Sequence, residues 1–291
     1  MKIQESMVIN RLRIVWLFAL IFGGLASLFL PFASVAAESE PFHPAQKMAE
    51  QINNGQDITR PVTRFDTRYQ FVNVPGGYRQ NIVTFRGDGA IKFSGKWELA
   101  LRGDLPTIYG DMPANDNVRS RNQVGLGDIL VQAVTVYVAT PGVAIGAGLQ
   151  LTLPTATNDQ SGTGKAVALP LVGVRVSLPE ISNGSFFLPY ARYATSFAGN
   201  SNRTDISKLE FAPCFNIMLP KKNFVVLYPN PEIVYNYKQS NSWAMPFDIM
   251  LGRMFTDKIV GSVEIFTPML ESRNYNRPYN FKVEARLGFF F

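Results

Sequence analysis

Arg-x-Asp recurs in three successive segments where apolar and polar residues alternate, as Arg64/Asp66, Arg86/Asp88 and Arg102/Asp104. Alternation at period two places both members of a pair on one face of a β-strand. Three successive strands would therefore stack six opposite charges into a ladder. Arg68, Glu98, Arg175, Arg192, Lys208, Glu210, Lys282, Glu284 and Arg286 extend the same face, with Asp128, Glu232 and Asp248 as further members. Such a face lines a polar path or a solute site. Alternatively, the opposite charges cross-pair and simply fill a narrow closed sheet. The near balance of sign argues against strong ion selectivity.

Other chemistry is thinly represented. Ser-His and Asp-His hydrolysis need an imidazole near neutral pKa as general base. The sole histidine, His43, precedes the alternating region. No catalytic residue is assigned, and the chain is expected not to be an enzyme; carboxylate-only chemistry stays open but nothing points to it. No Cys/His group has metal-ligand spacing and no glycine-rich phosphate loop occurs, so neither metal nor cofactor is expected. Cys214 is the only cysteine, which rules out an intrachain disulfide, and it reads as a small filler. Arg86-Gly87-Asp88 and Arg102-Gly103-Asp104 spell an adhesion tripeptide, but their charges point inward, away from any receptor. The basic residues are scattered along strands, which leaves no patch for nucleic acid.

The elements that must position the ladder are strands. Residues 279–291 show the pattern most cleanly: Tyr279, Phe281, Val283, Ala285, Leu287, Phe289 and Phe291 alternate with Asn280, Lys282, Glu284, Arg286, Gly288 and Phe290. One greasy and one charged face suit a wall between lipid and water. Phe65, Thr67, Tyr69 and Phe71 alternate with Arg64, Asp66, Arg68 and Gln70, and the same period marks segments near 83–93, 97–105, 143–153 and 208–217. Segments near 124–138, 167–178, 185–197, 224–235, 244–254 and 259–269 follow it less cleanly, which brings the count to twelve. Connections fall near 75–78, 94–95, 107–123, 139–142, 154–166, 179–184, 198–205, 219–223, 236–243, 255–258 and 270–278. Longer and shorter ones mostly alternate, as outer-membrane barrels require.

Ahead of the strands lie two other units. Lys2, Arg11 and Arg13, an apolar stretch from Ile14 to Leu30, and Ser34-Val35-Ala36-Ala37 make residues 1–37 a cleavable signal peptide, with an uncleaved anchor helix as the competing reading. Residues 38–61 form a periplasmic or lumen-inserted leader, in which Pro44 to Ile52 suits a short helix stopped by Asn53-Asn54-Gly55. Residues 62–291 are the barrel. Past residue 37 no run of about 18 apolar residues exists to make a membrane helix. The composition, 46% hydrophobic and 17% charged, averages two opposite faces, as does the mean hydropathy of +0.02. Loss of the signal takes the net charge from +6 to roughly +4, which says little about partners.

The expected fold is thus all-β, a transmembrane antiparallel up-and-down barrel of about 12 strands. Strands about 4.8 Å apart, tilted near 40°, would make a backbone cylinder about 24 Å across. A soluble β-sandwich is the rival, but it would gather its aromatics into one core. Phe186, Tyr190 and Phe290 would face the lumen, either as a greasy slide or packed against the leader.

Gly125-Leu126-Gly127-Asp128, then Leu153-Pro154-Thr155-Ala156-Thr157-Asn158-Asp159 and Gly162-Thr163-Gly164-Lys165, resemble the outer-membrane barrel family named for the meta-pathway of phenol degradation. Thr63 to Tyr69 and Trp97 to Pro106 are similar to its opening strands, and the likeness spans most of 60–291. It departs after Lys165, where Ala166-Val167 stand in place of the family's frequent tryptophan. The resemblance implies passage of small, often aromatic or hydrophobic molecules, by analogy with long-chain fatty-acid transporters, and it carries no catalytic residues.

Together these readings give a porin-like channel in the outer membrane of a Gram-negative cell, monomeric, for passive or binding-assisted uptake of an unspecified small solute. Its other partners are outer-membrane lipid and the barrel-assembly machinery, which would read Phe289 and Phe291 of the last strand. The loop carrying Thr155, Thr157, Asp159 and Lys165 sits at the outer mouth, either as a binding loop or as a solvated surface loop. A structural or adhesion-type barrel without transport is the alternative, and an outer-membrane hydrolase stands behind it.

Overall fold

The computed structural model describes residues 53–111 and 122–291. The expected signal peptide, the leader up to residue 52 with His43, and the centre of the 107–123 connection lie outside the described residues.

Alternation along the chain resolves into strand after strand: β1 (Arg64–Val74), β2 (Tyr78–Ser94), β3 (Trp97–Asp111), β4 (Asn122–Leu126), β5 (Ile129–Thr140), β6 (Val143–Leu153) and β7 (Lys165–Ser177). These are followed by β8 (Phe186–Gly199), β9 (Ser207–Leu219), β10 (Asn223–Leu227), β11 (Ile233–Asn236), β12 (Ser242–Met254), β13 (Ile259–Glu271) and β14 (Phe281–Phe290). All neighbours pair antiparallel. β14 closes on β1, from Arg64 opposite Phe290 to Asn73 opposite Phe281. Fourteen segments make a barrel of 12 staves, because two staves are broken. β4 and β5 both pair with β3, and β10 and β11 both lie between β9 and β12.

Both breaks correct the sequence reading, which took 124–138 and 224–235 as continuous strands. At Gly127 a side chain would strike Pro106 and the Ser161 carbonyl, so the backbone is pressed under a neighbouring loop. The second break holds Pro229 and Pro231, which lack the N–H that a ladder needs. Tyr228 there has a left-handed φ of 52°.

The short connections 95–96, 141–142, 220–222 and 255–258, the connection 178–185, and both ends of the barrel sequence lie at one end, here the terminal end. Connections 75–77, 154–164, 200–206, 237–241 and 272–280 lie at the other, the loop end. Phe65, Phe85, Leu101, Leu105, Val131, Phe211, Leu251, Ile265 and Leu287 are exposed on the outer wall. An apolar girdle of that extent is foreign to a surface in water and suits hydrocarbon. Among the described residues no helix is long and apolar enough to cross a membrane; strands alone present the apolar band.

Candidate functional site: the lumen

The inner wall is divided by chemistry. Its charged sector is built by β14, β1, β2 and β3, whose register brings the Arg-x-Asp pairs side by side. Arg64 faces Asp88 and Asp66 faces Arg86 across β1–β2, while Arg86 faces Asp104 and Asp88 faces Arg102 across β2–β3. The opposite order of charges on antiparallel neighbours turns three like motifs into alternating pairs. Asp88 accepts from Arg64 at 2.5 Å and Arg102 at 2.8 Å. Arg86 grips Asp104 through two bonds of 2.6 and 2.5 Å, the fork-on-fork geometry that only a guanidinium offers. Asp66, fully enclosed, has Arg286 at 3.0 Å, Arg68 at 3.2 Å and Arg64 at 3.6 Å. Arg68 reaches on to Glu284 at 3.0 Å, and Gln70 donates to the same carboxylate at 3.3 Å.

Smaller groups of charge stand apart from this network. Arg192 pairs with Glu210 and donates to Gln150 at 3.3 Å, with Lys208 3.5 Å from Glu210. Lys282 lies 3.1 Å from Glu232 and over the rings of Phe266 and Tyr279, at 4.1 and 4.3 Å. Glu98 does not join the ladder. It sits at the terminal rim, 3.9 Å from a largely exposed Lys92.

The apolar sector faces the charged one from β8, β9, β10, β12 and β13. Phe186, Leu188, Cys214, Met218, Phe224, Val226, Met250, Met254 and Val260 form one buried cluster, with Tyr190 and Phe290 against it. Phe224 lies over Gly252, where a Cβ would come within 2.1 Å of the ring. Cys214 is thus packing, as its sequence context suggested.

Residues 53–61 lie across the terminal end of the lumen and touch both sectors. Ile58 packs into the apolar cluster and into a second one of Val134, Val136, Ala144 and Leu171. The Asn54 amide donates to the Asn216 side chain at 2.7 Å, and Arg64 donates to the Gly55 carbonyl at 2.7 Å. Asp57 sits 2.7 Å from Arg175, whose guanidinium also lies over Phe186. Burial pushes the Asp57 carboxyl above its ordinary value, an effect that Arg175 and two hydrogen bonds from Thr59 partly offset.

At the loop end, two points of the 154–164 connection, Ala156 and Thr163, converge on Asp128. Its carboxylate accepts from the Thr163 N–H at 2.6 Å, the Thr163 hydroxyl at 2.9 Å and the Ala156 N–H at 3.2 Å. Asp128 therefore organises the mouth rather than extending the lumen ladder, a second correction. Thr155 accepts from the Ile129 N–H, Thr157 from the Leu126 N–H, and Asp159 pairs with Arg203. A side chain at Gly125 would meet Asn158 and Thr157 within 2.5 Å, which explains the glycine there. Lys165, buried at the start of β7, reaches Asp205 at 2.9 Å and holds that carboxyl below the usual carboxylate range. The loop is pinned throughout by its own polar groups.

No family model and no curated protein matches the sequence. An outer-membrane channel from Pseudomonas putida F1 does match in structure. It superposes with a TM-score of 0.65 over 87% of this chain and 100% of that one, at 12% identity. The fold is that of an outer-membrane β-barrel. The KdgM porin (TM-score 0.47, 11% identity, 78% of this chain and 99% of that one) and the NanC porin (0.46, 12%, 78% and 98%) are more distant.

Within this barrel, Arg64, Asp66, Arg68, Arg86, Asp88, Arg102, Asp104, Glu284 and Arg286 are brought together, while Arg175, Arg192, Lys208, Glu210 and Lys282 belong to separate groups. Phe289 and Phe291 point outward from the closing strand and its end. Sequence reasoning left residues 38–61 as a periplasmic or lumen-inserted leader and did not single out Asn54, Asp57 and Ile58. The only signal was a polar stretch without strand period placed just ahead of β1. It also passed over Glu264, whose inward position the alternation of β13 contains.

Proposed function

We propose that this chain is an outer-membrane channel of a Gram-negative envelope, passing small solutes passively or through weak binding, apolar and aromatic ones foremost. The observation that carries this reading is the seat of residues 53–61. They close one end of the lumen through a few side-chain contacts and no strand pairing. A barrel serving only as a structural wall gains nothing from a filler that can leave without breaking the ladder. The apolar sector supports apolar solutes, since a greasy inner wall lowers the cost of bringing them out of water. The resemblance of the Asp128-centred mouth to the phenol-pathway barrels points the same way. In this reading the protein works as a monomer in lipid, and assembly machinery recognises β14 through Phe289 and Phe291.

Planar-bilayer recording tests the proposal. Full-length protein is compared with a variant lacking residues 53–60. The expected result is a several-fold larger conductance in the deletion, with faster swelling of loaded liposomes in small aromatic solutes. Silence from both proteins, with the barrel folded, would return the structural-wall alternative.

A further inference from the structure

Six inward carboxylates, Asp66, Asp88, Asp104, Glu210, Glu232 and Glu284, each lie within 4 Å of an arginine or lysine nitrogen. Asp248 and Glu264 break that rule. Both are 1% exposed, and neither has an ion pair among the described residues. As ionised carboxylates, Asp248 has no donor on either oxygen and Glu264 has none on Oε2. Glu264 Oε1 accepts only the Asn230 amide, at 2.8 Å.

The register makes these two a single site. Asp248 stands opposite Phe266 and Met250 opposite Glu264. The two acids are therefore diagonal neighbours on the inner face of β12 and β13, and their carboxyls come within hydrogen-bonding reach of each other. Glu284 faces Glu264 directly across β13–β14 and adds negative charge, although Arg68 engages it. An isolated carboxylate this enclosed is held only with a counter-charge or a proton. One strand position away the lumen shows what such a charge looks like, in the Lys282 ammonium held by Glu232, Phe266 and Tyr279. Phe266 is shared between that occupied seat and Asp248.

We infer that Asp248 and Glu264 form a lumen binding site for a monovalent cation, either an inorganic ion or the ammonium head of a small amine. Two carboxyls with one amide neighbour suit a single positive charge. Among the described residues, no group of three His, Cys, Asp or Glu is placed to hold a metal ion, which disfavours a tightly chelated divalent ion. The site goes beyond the channel proposal and does not require conduction. Binding is read in detergent and passage in bilayers, so the two fail separately.

Calorimetric titration of the full-length barrel in micelles at neutral pH tests it, with potassium chloride and methylammonium chloride as probes. Ionic strength is held constant with N-methylglucamine chloride, whose cation is too bulky to enter. The expected result is saturable binding of at least one probe, near one per barrel, weakened at least tenfold in Asp248→Asn and in Glu264→Gln and unchanged in Glu98→Gln at the rim. Tighter methylammonium identifies an amine-bearing solute; tighter potassium identifies an inorganic ion. Three results would overturn the site. They are no saturable binding of either probe, binding that survives both substitutions, or an infrared carboxylic-acid band, lost in Asp248→Asn, that persists at saturating probe. The last would mean that the pair holds a shared proton instead. Both substitutions are isosteric and remove a buried charge, so the two variants check each other for folding.

Discussion

The charged and apolar sectors of the lumen solve one packing problem by different means. On the β14–β1–β2–β3 side, five arginines and four carboxylates fill space by pairing, and Asp66 alone is shared by three guanidiniums. On the β8–β13 side, Phe224, Leu188, Met250 and their neighbours fill it by shape. In the first, stability depends on completeness, because each charge left without its partner keeps its full desolvation cost. In the second it depends on volume, and identity matters less than fit. Charge pairs therefore fix which strands are neighbours, while the apolar bed offers a surface on which a segment such as 53–61 can sit without a matching ladder.

The largest expected effect comes from breaking completeness. Asp66→Ala should lower unfolding free energy in a urea titration of the folded barrel by about 3–5 kcal/mol, since Arg64, Arg68 and Arg286 lose their shared partner. A loss below about 1 kcal/mol would show that water enters the sector and that the comparison is wrong. Next comes a volume test on the other side. Gly252→Ala drives a Cβ into the Phe224 ring, and overpacking of this kind costs about 1–3 kcal/mol. Adding Phe224→Leu should return part of that loss. If the double variant is no better than the single one, the ring is not the obstacle.

A sharper version removes a whole pair. Arg86→Met with Asp104→Leu takes away both members of the bidentate contact, and buried pairs replaced together by apolar groups of similar volume are often neutral. The double variant should stay within about 1 kcal/mol of wild type while Asp104→Leu alone is clearly destabilised. Equal damage from both would mean that Arg86 draws its stabilisation from elsewhere, Asp66 being the carboxylate that faces it in the β1–β2 register.

How much of this was legible follows from the period of the signal. Strand alternation is local, so the sector residues Arg64 to Asp104 and the closing pair β1–β14 could be read from spacing alone, and the register then followed from antiparallel order. The breaks were partly legible. Pro229 and Pro231 signal the second, whereas Gly127 yields only because a loop about 30 residues away presses on it. Asp128 looked like a lumen residue because a strand was assumed to run through it. Its true partners, Ala156 and Thr163, lie on a loop with no period to read. The seat of Asn54, Asp57 and Ile58 depends on Asn216, Arg175 and two apolar clusters far along the chain, and no local pattern encodes a contact of that span. Glu264 was visible in β13, but its lack of a partner is a property of the assembled wall.

The smallest effect tests whether enclosure, rather than charge pairing itself, distinguishes the charged sector. Lys222 and Asp257 make an ion pair at 2.6 Å between two terminal-end turns, with the Asp257 side chain 90% exposed. Lys222 holds the Asp257 carboxyl below its ordinary range, through a hydrogen bond first and charge second. A carboxylate depressed on folding stabilises the protein above its unfolded pKa of about 3.9, and that contribution fades as pH falls through the lower folded value. Here water and salt screen the pair. Asp257→Asn should therefore leave the thermal midpoint at pH 7 unchanged within reproducibility, and any residual difference should vanish on acidification below the carboxylate range. A drop comparable to that of Asp66→Ala would mean that pairing alone, and not burial of the pair, gives the charged sector its hold on the barrel.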